Sequence, residues 1–368
     1  MPVFLKETLY SKEQFEEFSN VLNKKISNFD KDKFLSLIFD KQWNCLELKQ
    51  RMRHVTKILN YFLDKNYEQA TNQIIEITYF IIDKNILKKS FIPISLADYI
   101  EVYGINFYDH SIKAIEEVTK LASCEFAVRP FILKYEQKMM QQMLLWSQHK
   151  HENVRRLASE GCRPRLPWAD ALPYFKKDPS TILPILKNLK NDSSIFVQKS
   201  VANNLNDISK DNPKIVLSLA NQWIGKSKNT DWILKHGCRT LLKNGNMEAM
   251  QLFGYSSPEL AKIEDFKIIN KEIKIGEDLV FSFNLFNISN KDEKIRVEFA
   301  LYFLRSNGSH SKKVFKINEN IYSANTKNHI IKKHSFKPRT TRKYYSGKQK
   351  ISIIINGNET NITNFYII

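Results

Sequence analysis

Two hydrophobic periodicities divide the chain and predict a multidomain protein: an all-α, HEAT-like repeat solenoid followed by a β-sandwich. The first observation is a recurrence at helical-pair spacing. Val154, Val197 and Ile233 fill equivalent slots at steps of roughly 43 and 36 residues, in or near the range of helix-pair repeats. The second is a change of period. Beyond about Lys267, apolar residues alternate, with Leu279, Phe281, Phe283 and Leu285 on one side of a strand. The third is length: 368 residues suffice for two cores. The boundary falls where the texture changes near Tyr255 to Pro258, giving a helical domain over 1–257 and a sandwich over 265–368.

From Lys12 to about Leu63 the chain reads as helix, with Phe15, Phe18 and Val21 on one face. Leu46 to Leu59 repeats at helical period and is strongly basic. Its Lys49, Arg51, Arg53 and His54 are read as a solvated face, ahead of a contact to a nucleic-acid backbone. Asn72 to Ile86 is a further apolar helix. Another ends at Gly104, a suitable C-cap, and a third covers Phe107 to Cys124. Cys124-Glu-Phe-Ala-Val-Arg-Pro then marks a helix–helix junction at Pro130, where Glu125 could cap the next helix. Phe131 to Trp146 reads as one helix whose methionine stripe is core.

The most informative stretch is His151 to Trp168. A helix from about Glu152 puts Val154, Ala158 and Cys162 on one face and Arg156 and Glu160, four apart, on another. Pro164 ends that helix between Arg163 and Arg165, and Pro167 can open another ahead of Trp168. A carboxylate, an indole and three guanidiniums gathered at one helix end suit a polyanion with a cationic centre. The slots recur downstream. Ala158, Val201 and Gly237, then Cys162, Leu205 and Leu241, form a packing face. Arg156, Lys199 and Lys235, then Glu160, Asn203 and Arg239, form a polar, mostly basic column. Stacked repeats would turn that column into a cationic stripe. The accompanying helices are Asp178 to Leu189, Phe196 to Ile208, Asn212 through Trp223, and Asp231 to Leu242, with Gly245 as a stop. Asp207 in a last helical turn opposes the helix dipole by about 0.3–1 kcal/mol, so it is expected to be paired or functional.

In the C-terminal part, Glu298 to Leu304, Lys350 to Ile355 and Asn364 to Ile368 read as further strands, about seven in all, which suggests a sandwich. Its loops are basic. Lys337, Arg339, Arg342 and Lys343, beside Tyr344 and Tyr345, read as a loop that contacts a phosphate backbone.

Composition narrows the partner. Lys and Arg number 57 against 39 Asp and Glu, a formal charge of +18. The isoelectric point is about 9.5. Such an excess favours a polyanion, most simply nucleic acid. The cysteines (Cys45, Cys124, Cys162, Cys238) are far apart and form no CxxC, which suggests a reduced compartment. The start lacks a signal-peptide core and no apolar run approaches membrane-spanning length, so the expected location is the cytoplasm. Gly225-Lys-Ser227 fails as a phosphate loop, because Ala220 stands at the required glycine and a helix precedes it. His149-Lys-His151 lacks partners at metal-ligand spacing.

Three segments carry a resemblance. Glu125-Phe-Ala-Val-Arg-Pro-Phe, Asn153-Val-Arg-Arg-Leu-Ala-Ser-Glu-Gly-Cys-Arg-Pro-Arg-Leu-Pro-Trp and Ser200-Val-Ala-Asn-Asn-Leu-Asn-Asp resemble the AlkC-type alkylpurine DNA glycosylases, which belong with AlkD in a HEAT-like-repeat superfamily. The resemblance spans essentially the whole chain and implies an immunoglobulin-like C-terminal domain that closes over the far side of a duplex. It implies hydrolysis of the N-glycosidic bond of cationic alkylated bases, chiefly N3-methyladenine, leaving an abasic site. It makes Glu125, Glu160 and Asp207 the active-site carboxylates and Trp168 an aromatic wall, with Arg156, Arg163 and Arg165 on phosphates. Which carboxylate orients the water stays open. By the same resemblance the base is trapped in a distorted duplex rather than extruded. The expected partner is alkylated double-stranded DNA, bound by a monomer with no cofactor, metal, membrane or obligate protein partner. The physics agrees: a base that already carries positive charge leaves without a strong acid, and a carboxylate stabilises the oxocarbenium-like sugar. The competing readings are a non-catalytic HEAT-repeat scaffold for nucleic acid or protein and, more remotely, a membrane-surface protein. A pure binder gains nothing from acids set among phosphate-gripping cations.

Overall fold

The computed structural model describes residues 5–338, 342–360 and 362–368. They form two compact units: 5–212 with 225–237, and 213–224 with the described residues from 238 onward. The helices in chain order are α1 (Leu5–Leu9), α2 (Lys12–Lys25), α3 (Lys31–Ile38), α4 (Leu48–Phe62), α5 (Tyr67–Lys84), α6 (Ile94–Tyr103), α7 (Tyr108–Val118), α8 (Val128–Lys134), α9 (Glu136–Trp146), α10 (Glu152–Glu160), α11 (Pro173–Lys177), α12 (Leu183–Leu189), α13 (Ile195–Ile208), α14 (Pro213–Trp223), α15 (Lys228–Gly237), α16 (Arg239–Lys243) and α17 (Met247–Leu252). Among the described residues no helix is long and apolar enough to cross a membrane.

In the first unit, local chemistry sets the helix starts. Ser11 and Gln14 form a capping box on α2, Asp30 accepts from Lys33 N at α3, and Asn66 accepts from Gln69 N at α5. The repeat slots pack as expected. Val154, Val197 and Ile233 are fully enclosed where α10 meets α13 and α13 meets α15. Gly237 fits closely at its slot: a Cβ there would lie 3.0 Å from Leu205 Cβ, so Leu205 would have to give by a few tenths of an ångström.

Several boundaries differ from the expectations. Tyr135 separates α8 from α9, so 131–146 is not one helix, and Cys238 likewise divides 231–242. The helix expected from Asp178 begins only at Leu183, because the Asp178 carboxylate accepts from Ser180 N and holds a turn. The basic face of α4 is only partly solvated: Lys49 is exposed, but its neighbours are engaged by the fold. Arg51 is buried against the Trp43 ring and pairs with Glu7, and Arg53 forms a fork on Asp98 and reaches Glu101. His54 meets the carbonyls of Leu37 and Ile38.

The second unit holds α14, α16, α17 and two facing sheets. The smaller is antiparallel, β1 (Ala261–Ile268), β3 (Asp278–Asn287) and β6 (Lys327–Ser335), with β3 central. The larger runs β2 (Glu272–Ile273), β9 (Thr363–Ile367), β7 (Gly347–Ile355), β4 (Glu293–Leu304) and β5 (His310–Tyr322), with β8 (Asn358–Glu359) paired to β7. Leu279, Phe281, Phe283 and Leu285 are fully enclosed and share a core with Phe299, Leu301, Ile351, Ile353 and Phe365. Within the larger sheet, register places Phe299 opposite Ile353 and Leu301 opposite Ile351, and these share one core with Leu279, Phe281, Phe283 and Leu285 of the smaller sheet, so both sheets turn their apolar alternation inward.

Candidate active site

In the first unit, stacking α10 on α13 assembles a chain of alternating charges. Along α10 and just beyond it, Arg156, Glu160 and Arg163 follow at four- and three-residue spacing and therefore meet. Arg163 Nη1 donates to Glu160 Oε1 at 2.7 Å, and Arg156 Nη2 lies 3.7 Å from the same oxygen. The neighbouring repeat adds Asp207. Its Oδ2 accepts from Arg163 Nε at 2.9 Å and its Oδ1 from Lys210 Nζ at 3.0 Å. The turn before α8 adds Glu125, whose Oε2 forms an ion pair with Arg156 Nη1 at 2.8 Å and accepts from the Ser123 hydroxyl, which itself accepts from Arg156 Nη1, each at 2.8 Å. Glu125 does not cap α8, which has no side-chain cap.

Glu160, Arg163 and Asp207 are 6%, 7% and 2% exposed. Charges this enclosed persist only when paired, and Coulomb attraction there is little screened. Burial pulls the Arg163 guanidinium toward neutrality, but Glu160 and Asp207 more than reverse this and leave its pKa raised. The two cations on Asp207 also offset the helix dipole it opposes. Both Asp207 oxygens are therefore held. Glu160 Oε2 and Glu125 Oε1 accept no hydrogen bond from a described residue. The arrangement presents fixed acids whose remaining lone pairs could hold a water or face a cation.

Trp168 is placed differently. The helix expected at Pro167 does not form. Residues 161–172 make a non-helical loop up to α11, in which Trp168 has φ +63°. For a bulky residue that backbone costs about 1–2 kcal/mol. The indole is 66% exposed and lines a hollow of about 330 Å³ with Lys49, Glu101, Phe126, Arg129 and Asp170. Glu125, Glu160 and Asp207 do not line that hollow. Trp168 thus lies on the same loop as Arg163 but outside the carboxylate chain, and it is not helix core.

Arg163, expected at a phosphate, is enclosed between its two acids. Arg165 forms a fork on Asp211, with a closest approach of 2.7 Å. Lys199 is exposed on α13, while Asn203 and Lys235 are half-buried. Arg156 covers the Phe196 ring at 4.4 Å. In the second unit, Arg239 is half-buried on α16, Lys337 is exposed, the Arg342 guanidinium lies 3.8 Å over the Phe303 ring, and Lys343 sits 5.5 Å from the Tyr345 ring. Arg339 lies outside the described residues. His151 caps α10 by accepting from Asn153 N, and His149 accepts from His151 N. Among the described residues no group of three or more His, Cys, Asp or Glu is arranged to hold a metal. Reasoning from sequence missed Ser123, Arg129 and Lys210. Only Lys210, three residues from Asp207, carried a usable signal.

Known proteins are similar to this chain over nearly its whole length. The profile of the family described as DNA alkylation repair enzyme matches residues 45–241. That of the YhaZ C-terminal Ig-like domain matches residues 262–368. The uncharacterized protein YhaZ of Bacillus subtilis (strain 168) is 43% identical over 363 residues, covering 99% of both chains. The Pseudomonas fluorescens alkylpurine DNA glycosylase AlkC, solved bound to DNA containing an abasic site analog, superposes with a TM-score of 0.91 at 33% identity over 99% of both chains. With a buried acid–arginine chain in its helical unit and an immunoglobulin-like sandwich after it, the chain belongs to the DNA alkylation repair enzyme family, as an AlkC-type protein.

Proposed function

We propose that the protein is a DNA glycosylase that hydrolyses the N-glycosidic bond of cationic alkylated bases, chiefly N3-methyladenine, in duplex DNA. The observation that supports this reading is the set of fixed carboxylates, two with an open oxygen, in a strongly basic chain. A scaffold that only gripped phosphates would lose affinity by keeping them.

In this reading the C1′–N bond breaks with its electron pair moving to the base, which neutralises the base's own positive charge. The sugar becomes oxocarbenium-like, and a preorganised carboxylate stabilises it without reorganisation at the moment of reaction. Water then attacks C1′ and passes a proton to a carboxylate acting as base. Glu160 is assigned the facing and proton-accepting role, since its Oε2 remains open. Asp207, with both oxygens occupied, holds Arg163, which in turn aims Glu160. Glu125 is the second candidate for the water. Trp168 offers an exposed indole face to a cation, worth about 0.5–2 kcal/mol. Arg156, Arg165, Lys199, Asn203 and Lys235 in the first unit are assigned to the phosphate backbone, as are Arg239, Lys337, Arg339, Arg342 and Lys343 in the second. An abasic site is what this reaction leaves, and DNA containing an abasic site analog is the ligand on which the Pseudomonas relative was solved. The reading has a monomer acting on DNA in the cytoplasm.

The test is incubation with methylated duplex DNA and chromatography of released bases. Release of methylated purines, lowered at least about 100-fold by Glu160→Gln, is the expected result. Tight binding without release would replace this reading with the non-catalytic scaffold. Release unaffected by Glu160→Gln, Glu125→Gln and Asp207→Asn would overturn the site.

A further inference from the structure

Arg129 is 5% exposed and makes no ion pair with a carboxylate among the described residues. Its Nη1 donates to the carbonyls of Gly161 and Arg163, each at 3.0 Å, and its Nη2 to the carbonyl of Asp170. These acceptors lie at both ends of the loop that carries Trp168. Burial lowers the pKa of this guanidinium, with the nearby Arg163 adding to the shift and Asp170 and Asp207 only partly opposing it. A second cation arrives from 119 residues away: Lys49 Nζ, on α4, donates to the Trp168 carbonyl at 2.7 Å while lying 4.6 Å from the Phe126 ring. Two short links close the loop, from Leu172 N to Pro164 O and from Ala169 N to Leu166 O. The indole itself is 66% exposed, so its backbone largely sets where it projects. A non-glycine residue with a left-handed backbone persists only where its surroundings over-determine it.

From this geometry we infer that Arg129 and Lys49 are positioning residues for Trp168, clamping loop 161–172 so that the indole is held over the hollow in fixed relation to Glu160. Arg129 links the two halves of the site, because one of its carbonyl partners belongs to Arg163, the arginine that holds Glu160 and Asp207. Neither residue need touch the substrate. The inferred effect on rate rests on the glycosylase reading, whereas the effect on Trp168 rests on geometry alone.

Two readouts separate them. Acrylamide quenching of Trp168 is taken as the difference between each protein and its Trp168→Phe counterpart, since the chain has five tryptophans. Single-turnover base release and KM are measured on methylated duplex DNA. Lys49→Met, at an exposed position, should change Trp168 quenching and slow release about 10-fold with KM nearly unchanged. Arg129→Lys keeps the charge but loses the fork and should slow it about 100-fold, the usual effect of an ångström-scale misplacement. In the Trp168→Phe background neither substitution should cost further rate. Unchanged quenching in both variants, or losses that multiply with that of Trp168→Phe, would overturn the inference. Should Arg129→Lys fail to fold, Lys49→Met decides. If the unaltered protein released no base, the glycosylase reading would fall while quenching still decided the clamp.

Discussion

Removing Arg163 exposes how the acid chain is held. In Arg163→Met, Asp207 keeps Lys210 at 3.0 Å, but Glu160 keeps only Arg156 at 3.7 Å. Taking one partner from a buried pair costs about 3–5 kcal/mol. Arg163 serves two acids, one of which retains a second cation, so about 3 kcal/mol is expected for the helical unit. Urea unfolding followed by the helical circular dichroism signal measures it. Glu160→Gln/Arg163→Met/Asp207→Asn should recover most of that loss, because it strands no charge. A single-variant loss below about 1 kcal/mol, or a triple variant no more stable than the single one, would refute the claim that Arg163 neutralises both carboxylates in a low-dielectric setting.

DNA affinity should fall steeply with salt, and Lys199→Ala should reduce the slope of log K against log salt by about 1, read by fluorescence anisotropy; an unchanged slope would remove Lys199 from the interface. In the second unit, Gly245 has φ +70° and a Cβ there would lie 2.7 Å from Gly357 O, so Gly245→Ala should lower the melting temperature by several degrees; an unchanged melt would mean that the two backbones part easily. Burial raises the Glu101 carboxyl above its ordinary 4.5, with Asp98 adding to it and Arg53 and Lys49 opposing. A raised carboxyl binds its proton more tightly in the folded state, so its stabilising contribution is full below about pH 4.5 and is lost as pH rises through the folded value. Glu101→Gln should therefore gain stability relative to the unaltered protein between about pH 4 and pH 7 in thermal melts, and a constant gap would contradict the assigned environment.

Periodicity carried most of the fold. Period two put Leu279 to Leu285 into the sandwich core, and equivalent slots put Val154, Val197 and Ile233 between stacked helices, because burial on one face leaves a mark at every turn. The mid-helix breaks at Tyr135 and Cys238 left no comparable mark. Within the site, the contact of Arg156 with Glu160 was legible from four-residue spacing, and Asp207 stood out by opposing a helix dipole. Its partner Arg163 lies 44 residues earlier, beyond any local rule. The solvated reading of Arg51 and Arg53 failed for the same reason: Glu7, Asp98 and Glu101 are distant in sequence. Pro167 promised a helix at Trp168, but local propensity gave way to two cations from α4 and α8 that grip the loop carbonyls.

The central claim is that fixed acids in a cationic protein serve a base that brings its own positive charge. Its most direct test is the single-turnover rate on duplexes carrying one cationic N-methylated purine, compared with duplexes carrying one neutral damaged purine. The account predicts release of the cationic base, near-complete loss in Glu160→Gln, and little or no release of the neutral one. Comparable rates on both lesions, or a cationic rate that Glu160→Gln leaves intact, would contradict it.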